Sequence, residues 1–212
     1  IEVLLQLGDL MPSKHTRLTT PIGTARWPRL SKPDTKFDKD GVYKVDLILS
    51  AADAEPVKKQ IQDVMKDHIE NVKRTKPALK KRADLPFVEE VDDGGNETGN
   101  WVFKFKLKAI GVNGDDRWEQ RPIVMDSKKA PIDTTTVEVG QGSRISVGCE
   151  VVPYVSPMVG AGISLRLKVV QVVELRESGS SVGDDWGFDV VEGFVTNEKT
   201  SSTSSVEEDF DF

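Results

Sequence analysis

The sequence predicts a mostly β fold: a small, five-stranded, partly open barrel with one amphipathic helix and a disordered acidic C-terminal tail. Three observations predict it. Several stretches alternate apolar and polar residues with the period of two that a half-buried strand requires. One stretch between residues 50 and 77 repeats its apolar residues at helical spacing instead. From residue 183 onward the periodicity stops and acidic residues accumulate.

Residues 1–10, IEVLLQLGDL, precede Met11 and read as a protease-site or vector remnant outside the fold. Residues 16–30 mix β-branched residues with turn formers and form an irregular first strand, in which Trp27 is flanked by Arg26 and, two residues on, by Arg29. Residues 41–50 form a clear strand. Tyr43, Val45, Leu47 and Leu49 face the core, and Val42, Lys44, Asp46 and Ile48 alternate with them.

Ser50 and Asp53 form a capping pair that opens the helix. Val57, Ile61, Val64, Met65, His68, Ile69 and Val72 then supply its apolar stripe as far as Pro77. Residues 77–99, rich in Lys, Asp, Gly and Pro, are expected to be a long mobile loop anchored only by Leu85, Pro86 and Phe87.

Residues 101–109 alternate without a break, with Trp101, Phe103, Phe105, Leu107 and Ala109 inward and Lys104, Lys106 and Lys108 outward. Asn113-Gly114 signals a hairpin, and residues 121–126 form a short strand after it. Residues 144–154 place Ile145, Val147, Cys149 and Val151 inward, and residues 163–175 form the last strand. A mainly antiparallel set of about five strands with one early helix fits the OB type of barrel. An immunoglobulin-like sandwich needs about seven strands and no such helix, so it ranks second.

The bulk numbers allow one domain. A chain of 212 residues with 30% charged residues buries one ordinary core, divided here into a body at 11–182 and a tail at 183–212. In the tail nine carboxylates face a single base, Lys199, giving −8; the whole chain is −6, so everything before the tail carries +2. A basic body with a tethered polyanion suggests a protein that binds polyanions and regulates that binding itself. Cys149 stands alone, no secretory leader is evident, and no apolar run approaches the length of a membrane span. These features point to the cytoplasm.

Enzymatic constellations are scarce. The two histidines, His15 and His68, have no zinc spacing with Cys149, and His68 lies on the apolar stripe as a core histidine would. Gly140-Gln141-Gly142 and Gly160-Ala161-Gly162 lack the Gly-Lys-Ser/Thr of a phosphate loop and read as turns. The pairs Asp92-Asp93, Asp115-Asp116 and Asp184-Asp185 read as solvated punctuation. No metal and no cofactor is expected.

Single-stranded nucleic acid requires a positive groove for phosphates and exposed rings for bases. The alternate lysines 104, 106 and 108 stand about 6.6 Å apart along one sheet face. The same row would also serve as ordinary solvent-facing gatekeepers beside an apolar strand. By alternation Tyr154 shares the outward face with Arg144, Ser146 and Glu150, which makes it a stacking candidate. Trp27 between Arg26 and Arg29 is another, with capping the end of the barrel as the alternative for either ring.

The motifs GTA at 23–25, KPD at 32–34, GVYKVDL at 41–47, FKFK at 103–106, MDSK at 125–128, VPY at 152–154, VGA at 159–161 and DDW at 184–186 occur in this order. An acidic terminus closing on Asp211-Phe212 completes the set. Together they resemble the single-stranded DNA-binding replication proteins of short-tailed bacteriophages. The resemblance implies an OB fold, non-enzymatic coating of single strands in the cytoplasm of an infected bacterium, promotion of strand annealing, and roles in replication and recombination. It also implies that Tyr154, Lys104 and Lys106 contact DNA. The tail residues Glu207, Glu208, Asp209, Phe210, Asp211 and Phe212 would contact the replicative DNA polymerase and the helicase-primase, and would occupy the DNA groove of the free protein, often within a homodimer.

Three departures bear on affinity and dimerisation. The 77–99 loop is unlike the family's, the tail is shorter and less acidic than in some members, and Ser156 stands where an aromatic can follow VPY. Two other readings stay open: a metal-dependent nuclease, which needs two loop carboxylates within coordination distance, and an acidic-tailed protein-interaction scaffold. RNA is a further possible ligand, because stacking platforms accept either sugar.

Overall fold

The computed structural model of the protein describes residues 15–176. The remnant expected at 1–10 and the tail expected at 183–212, including residues 207–212, lie outside the described residues.

The strands are β1 (Thr16–Thr19), β2 (Gly23–Asp34), β3 (Val42–Leu49), β4 (Phe87–Val91), β5 (Glu97–Lys108), β6 (Ile110–Asn113), β7 (Asp116–Glu119), β8 (Ile123–Met125), β9 (Arg144–Ser156) and β10 (Gly160–Glu174), with helix α1 (Ala51–Thr75) between β3 and β4. Five of them form a circuit in the order β2-β3-β5-β10-β9 and back to β2. Only two residue pairs join β5 to β10, and only two join β2 to β9. The barrel is therefore partly open, and OB-like in that β5 and β10 pair in parallel while the other circuit pairs are antiparallel.

The expected mostly β class holds, and the five circuit strands coincide with predicted ones. The strand count is larger because edge additions are too short to show a period. The first strand divides: β1 lies along β9 instead of continuing into the circuit. The Asn113-Gly114 hairpin forms, but its second arm is β7, which is exposed along its whole length and so carries no apolar alternation to read.

The 77–99 loop requires correction. It contains β4, antiparallel to β5, and the β4–β5 turn is closed by the Asp92 carboxylate accepting the Asn96 backbone N–H at 2.8 Å. Further back, Ala83 N–H donates to the Ala161 carbonyl and Ala161 N–H donates to the Lys81 carbonyl, which fastens the basic stretch to the start of β10. Lysines and glycines concealed this order because its backbone partners are distant in sequence.

The interior is built as the alternation requires. Tyr43, Val45, Leu47 and Leu49 on β3 meet Phe103, Phe105 and Leu107 on β5, with Ile145, Val147, Leu165 and Leu167 opposite. Ser50 caps α1, its Oγ accepting from Asp53 N–H at 3.2 Å, and Lys73 and Arg74 complement the dipole in the last turn. The buried stripe Val57, Ile61, Met65 and Val72 faces β3, β5, β9 and β10. Each such side chain contributes about 1.5–3 kcal/mol by leaving water.

Candidate nucleic-acid interface

The outward face of β3 and β5 sets the site. Cross-strand pairing lines up two rows perpendicular to the strands, since directly paired residues project to the same side. The first row is Arg26 on β2, Asp46 on β3 and Lys104 on β5. The second is Arg29, Lys44, Lys106 and, on β10, Arg166. Four cations thus stand on four adjacent strands, about 4.8 Å from one to the next.

Like charges directly opposite one another destabilise a sheet, so this row costs stability that an unspecialised surface would avoid. It is only partly neutralised. Lys44 pairs with Asp34, whose carboxyl is held below its usual range by that hydrogen bond. Arg166 pairs with Glu150 at 3.3 Å. Among the described residues, Arg29, Lys104 and Lys106 have no ion-pair partner. Lys108, at the end of the lysine series, is 3.6 Å from Asp38.

Arg26 and Arg29 are three apart in sequence, which in a regular strand would put them on opposite faces. A bulge between them returns both to one face. Trp27 sits in that bulge with φ of 48°, a left-handed conformation costly for a bulky residue, and its ring is 61% exposed. The Arg26 guanidinium lies 4.5 Å from the Trp27 ring centroid, and it is also 4.0 Å from Asp46 and 3.6 Å from Glu90. Arg26 is occupied by these partners, so on this surface it positions Trp27 more than it offers a free charge.

Tyr154 pairs with Gly162 on β10. A Cβ at Gly162 would meet the ring's Cζ at 2.5 Å and Ala83 Cβ at 2.8 Å, so the phenol lies directly over a residue that only glycine can supply. Its backbone is held as well, because His68 Nε2 donates to the Tyr154 carbonyl at 2.9 Å. That bond gives the half-buried His68 a positioning role on the Tyr154 backbone and supports the structural reading of this histidine.

By alternation along β10, Gly162 shares its face with Arg166. Tyr154, Lys104 and Lys106 therefore belong to one face of one sheet. Arg144 stands ten residues from Tyr154 along β9, roughly 33 Å at strand rise, but it pairs with Thr24 on β2, one cross-strand row from Arg26, Asp46 and Lys104 on the same side, and its Nη1 donates to Thr24 Oγ1. Contrary to the sequence reading, the outward side of β9 is not open throughout. Ser146 and Glu150 are buried, and the Ser146 hydroxyl donates to the Thr20 carbonyl just past β1.

The sequence reading missed three contributors. Lys44 and Arg166 were legible as outward members of alternating strands, but only pairing reveals the row. Gly162 was passed over as a turn glycine.

Other chemistry is poorly served. Among the described residues no group of three or more His, Cys, Asp or Glu is placed to hold a metal ion. Burial pushes the Cys149 thiol up to about 12, with Glu150 adding to the shift, so it remains a protonated, inert sulfhydryl. No described helix is long and apolar enough to cross a membrane.

Residues 22–175 match the family described as "Single-stranded DNA-binding protein, Bacteriophage T7". The chain belongs to this family. A relative from Enterobacteria phage T3, also named a single-stranded DNA-binding protein, is 30% identical over 90% of this chain and 89% of its own. The crystal structure of gp2.5, a single-stranded DNA-binding protein encoded by bacteriophage T7, superposes with a TM-score of 0.61 at 29% identity, covering 86% of this chain and 100% of that one. The single-stranded DNA-binding protein of bacteriophage Enc34, solved in complex with single-stranded DNA, shares the fold at 17% identity, with a TM-score of 0.53 over 76% of this chain and 88% of that one. Membership of the phage family makes the chain a non-enzymatic phage DNA-binding protein.

Proposed function

We propose that the outward face of β3, β5 and the start of β10 carries single-stranded DNA, with phosphates on Lys104, Lys106 and Arg29 and a base stacked on Tyr154. Trp27 offers a second ring at the margin. The observation that carries this reading is the joint placement of Tyr154, Lys104 and Lys106 on one sheet face, with the Tyr154 ring lying over Gly162 and its backbone carbonyl bonded by His68. Each neutralised phosphate releases counterions and gives an affinity falling with salt at a slope near −0.7 per contact. Each stacked base adds about 1–3 kcal/mol.

In this reading the body at 11–182 binds and the tail at 183–212 competes. Its −8 charge is a tethered polyanion at high effective concentration, displaced only by a long single strand. Displacement frees Glu207, Glu208, Asp209, Phe210, Asp211 and Phe212 to recruit the replicative polymerase and the helicase-primase. Coating of strands, annealing, replication and recombination in the cytoplasm of the infected bacterium follow from that cycle, as does a homodimer in which one tail covers its partner's groove. The test is a titration of an unstructured strand against a duplex of equal length over a range of salt. The strand should bind far more tightly, with a negative slope; equal affinity for both contradicts the reading.

A further inference from the structure

The charged row continues past Arg166. Pairing extends it to Glu150 on β9 and Arg17 on β1, where it meets a cleft of about 640 Å³ bounded by β1, β9, β10 and the β7–β8 connection. The volume lies within the range of sites that hold a small ligand. Arg17, Arg121 and Lys168, all exposed, line the cleft. Among the described residues Glu150 is its only lining carboxylate, and it is already paired with Arg166.

Ile123, 59% exposed, provides an apolar wall together with Met125 and Val169. Two carboxamides complete it, each anchored by its NH₂ group. Gln120 Nε2 donates to the Lys108 carbonyl at 2.9 Å, and Gln171 Nε2 donates to the Ser127 carbonyl at 3.1 Å. Both amide oxygens are left as acceptors among the described residues, and every nucleobase carries N–H donors for them.

We infer that this cleft is a nucleotide subsite, seating one unpaired base of the strand that follows the charged row. The inference rests on the proposed function and locates where the strand leaves the β3–β5 face. An apolar wall, free acceptors and three cations fit a base with its flanking phosphates. An acidic peptide would also satisfy the cations and has backbone N–H donors for the acceptors, but the charged row that leads into the cleft from the β3–β5 face favours the strand, and the crosslink below separates the two.

The test compares four full-length variants with the wild type, using oligothymidine as probe. Arg121→Glu/Lys168→Glu should lose the equivalent of two phosphate contacts, reducing the magnitude of the salt slope by about 1.4. Ile123→Trp, which fills the cleft, should weaken binding several-fold with the slope unchanged. A photo-crosslinking residue at position 123 should label the oligonucleotide. Cleft variants that bind as the wild type does, or a crosslink from position 123 to the chain's own residues beyond 176, would overturn the subsite. Lys104→Glu/Lys106→Glu separates the two proposals. If it weakens binding while the cleft variants do not, the subsite alone fails; if it too binds normally, the β3–β5 reading fails with it.

Discussion

At the scale of single residues, position matters more than identity. Tyr154 is useful because Gly162 leaves room beneath it and His68 fixes its carbonyl. Tyr154→Ala should weaken oligothymidine binding by the value of one stack, about 1–3 kcal/mol. Gly162→Ala should reproduce much of that loss with the tyrosine still present, since the added methyl displaces the ring; tryptophan-quenching titrations of both variants decide it. Asp46 makes a second case. Burial raises its carboxyl above the ordinary 3.8, and Arg26, Lys104 and Lys44 pull in the opposite direction. The folded protein therefore takes up this proton more readily than the unfolded chain, so the Asp46 contribution to stability declines as pH rises through the raised value. A bound polyanion favours the protonated form still more, so affinity should increase as pH falls through the same window. Asp46→Asn should bind more tightly at neutral pH and flatten that dependence, as measured by titrations from pH 4 to 8.

At the scale of elements, the β2 bulge unites charges that simple alternation separates. Because Trp27 occupies a left-handed conformation, Trp27→Gly should leave the thermal midpoint nearly unchanged, the relieved backbone offsetting the lost ring packing against Arg26. If the ring also stacks on a base, the same variant loses affinity for a single strand. A large fall in the midpoint would instead assign Trp27 to barrel packing. The β4 hairpin shows why some elements were illegible: its pairing with β5 supplies the order, and its exposed Val88, Glu89 and Val91 follow no helical or strand period. The helix was legible for the opposite reason. Its cap at Ser50, its stripe and its stop at Pro77 all lie within one contiguous stretch, 50–77.

At the scale of the whole molecule, net charge misleads. A chain of −6 presents a face on which Arg29, Lys104 and Lys106 have no ion-pair partner among the described residues, because the acidic excess is concentrated after residue 183. Removing residues 205–212 should tighten oligothymidine binding most at low salt and abolish retention of the polymerase on an affinity column. Unchanged affinity in dilute buffer would separate the tail from the groove. Above a few tenths molar salt the truncated and full-length proteins should converge, since screening weakens an exposed charged competitor as it weakens DNA.

By itself the sequence determined the class of fold, the inward sets of the strands at 41–50, 101–109 and 144–154, the capped helix and the lysine series. Each of these is written in local periodicity, which burial on one face enforces residue by residue. Only the tertiary structure decided which charges are neighbours. Cross-strand register brought Lys44, Lys106 and Arg166 into one row, a bulge turned Arg26 and Arg29 to the same side, and strand pairing set Tyr154 over Gly162 while leaving Arg144 at the far end of β9. Register is a property of two chain segments together, fixed by backbone hydrogen bonds between residues far apart, and no single segment contains it.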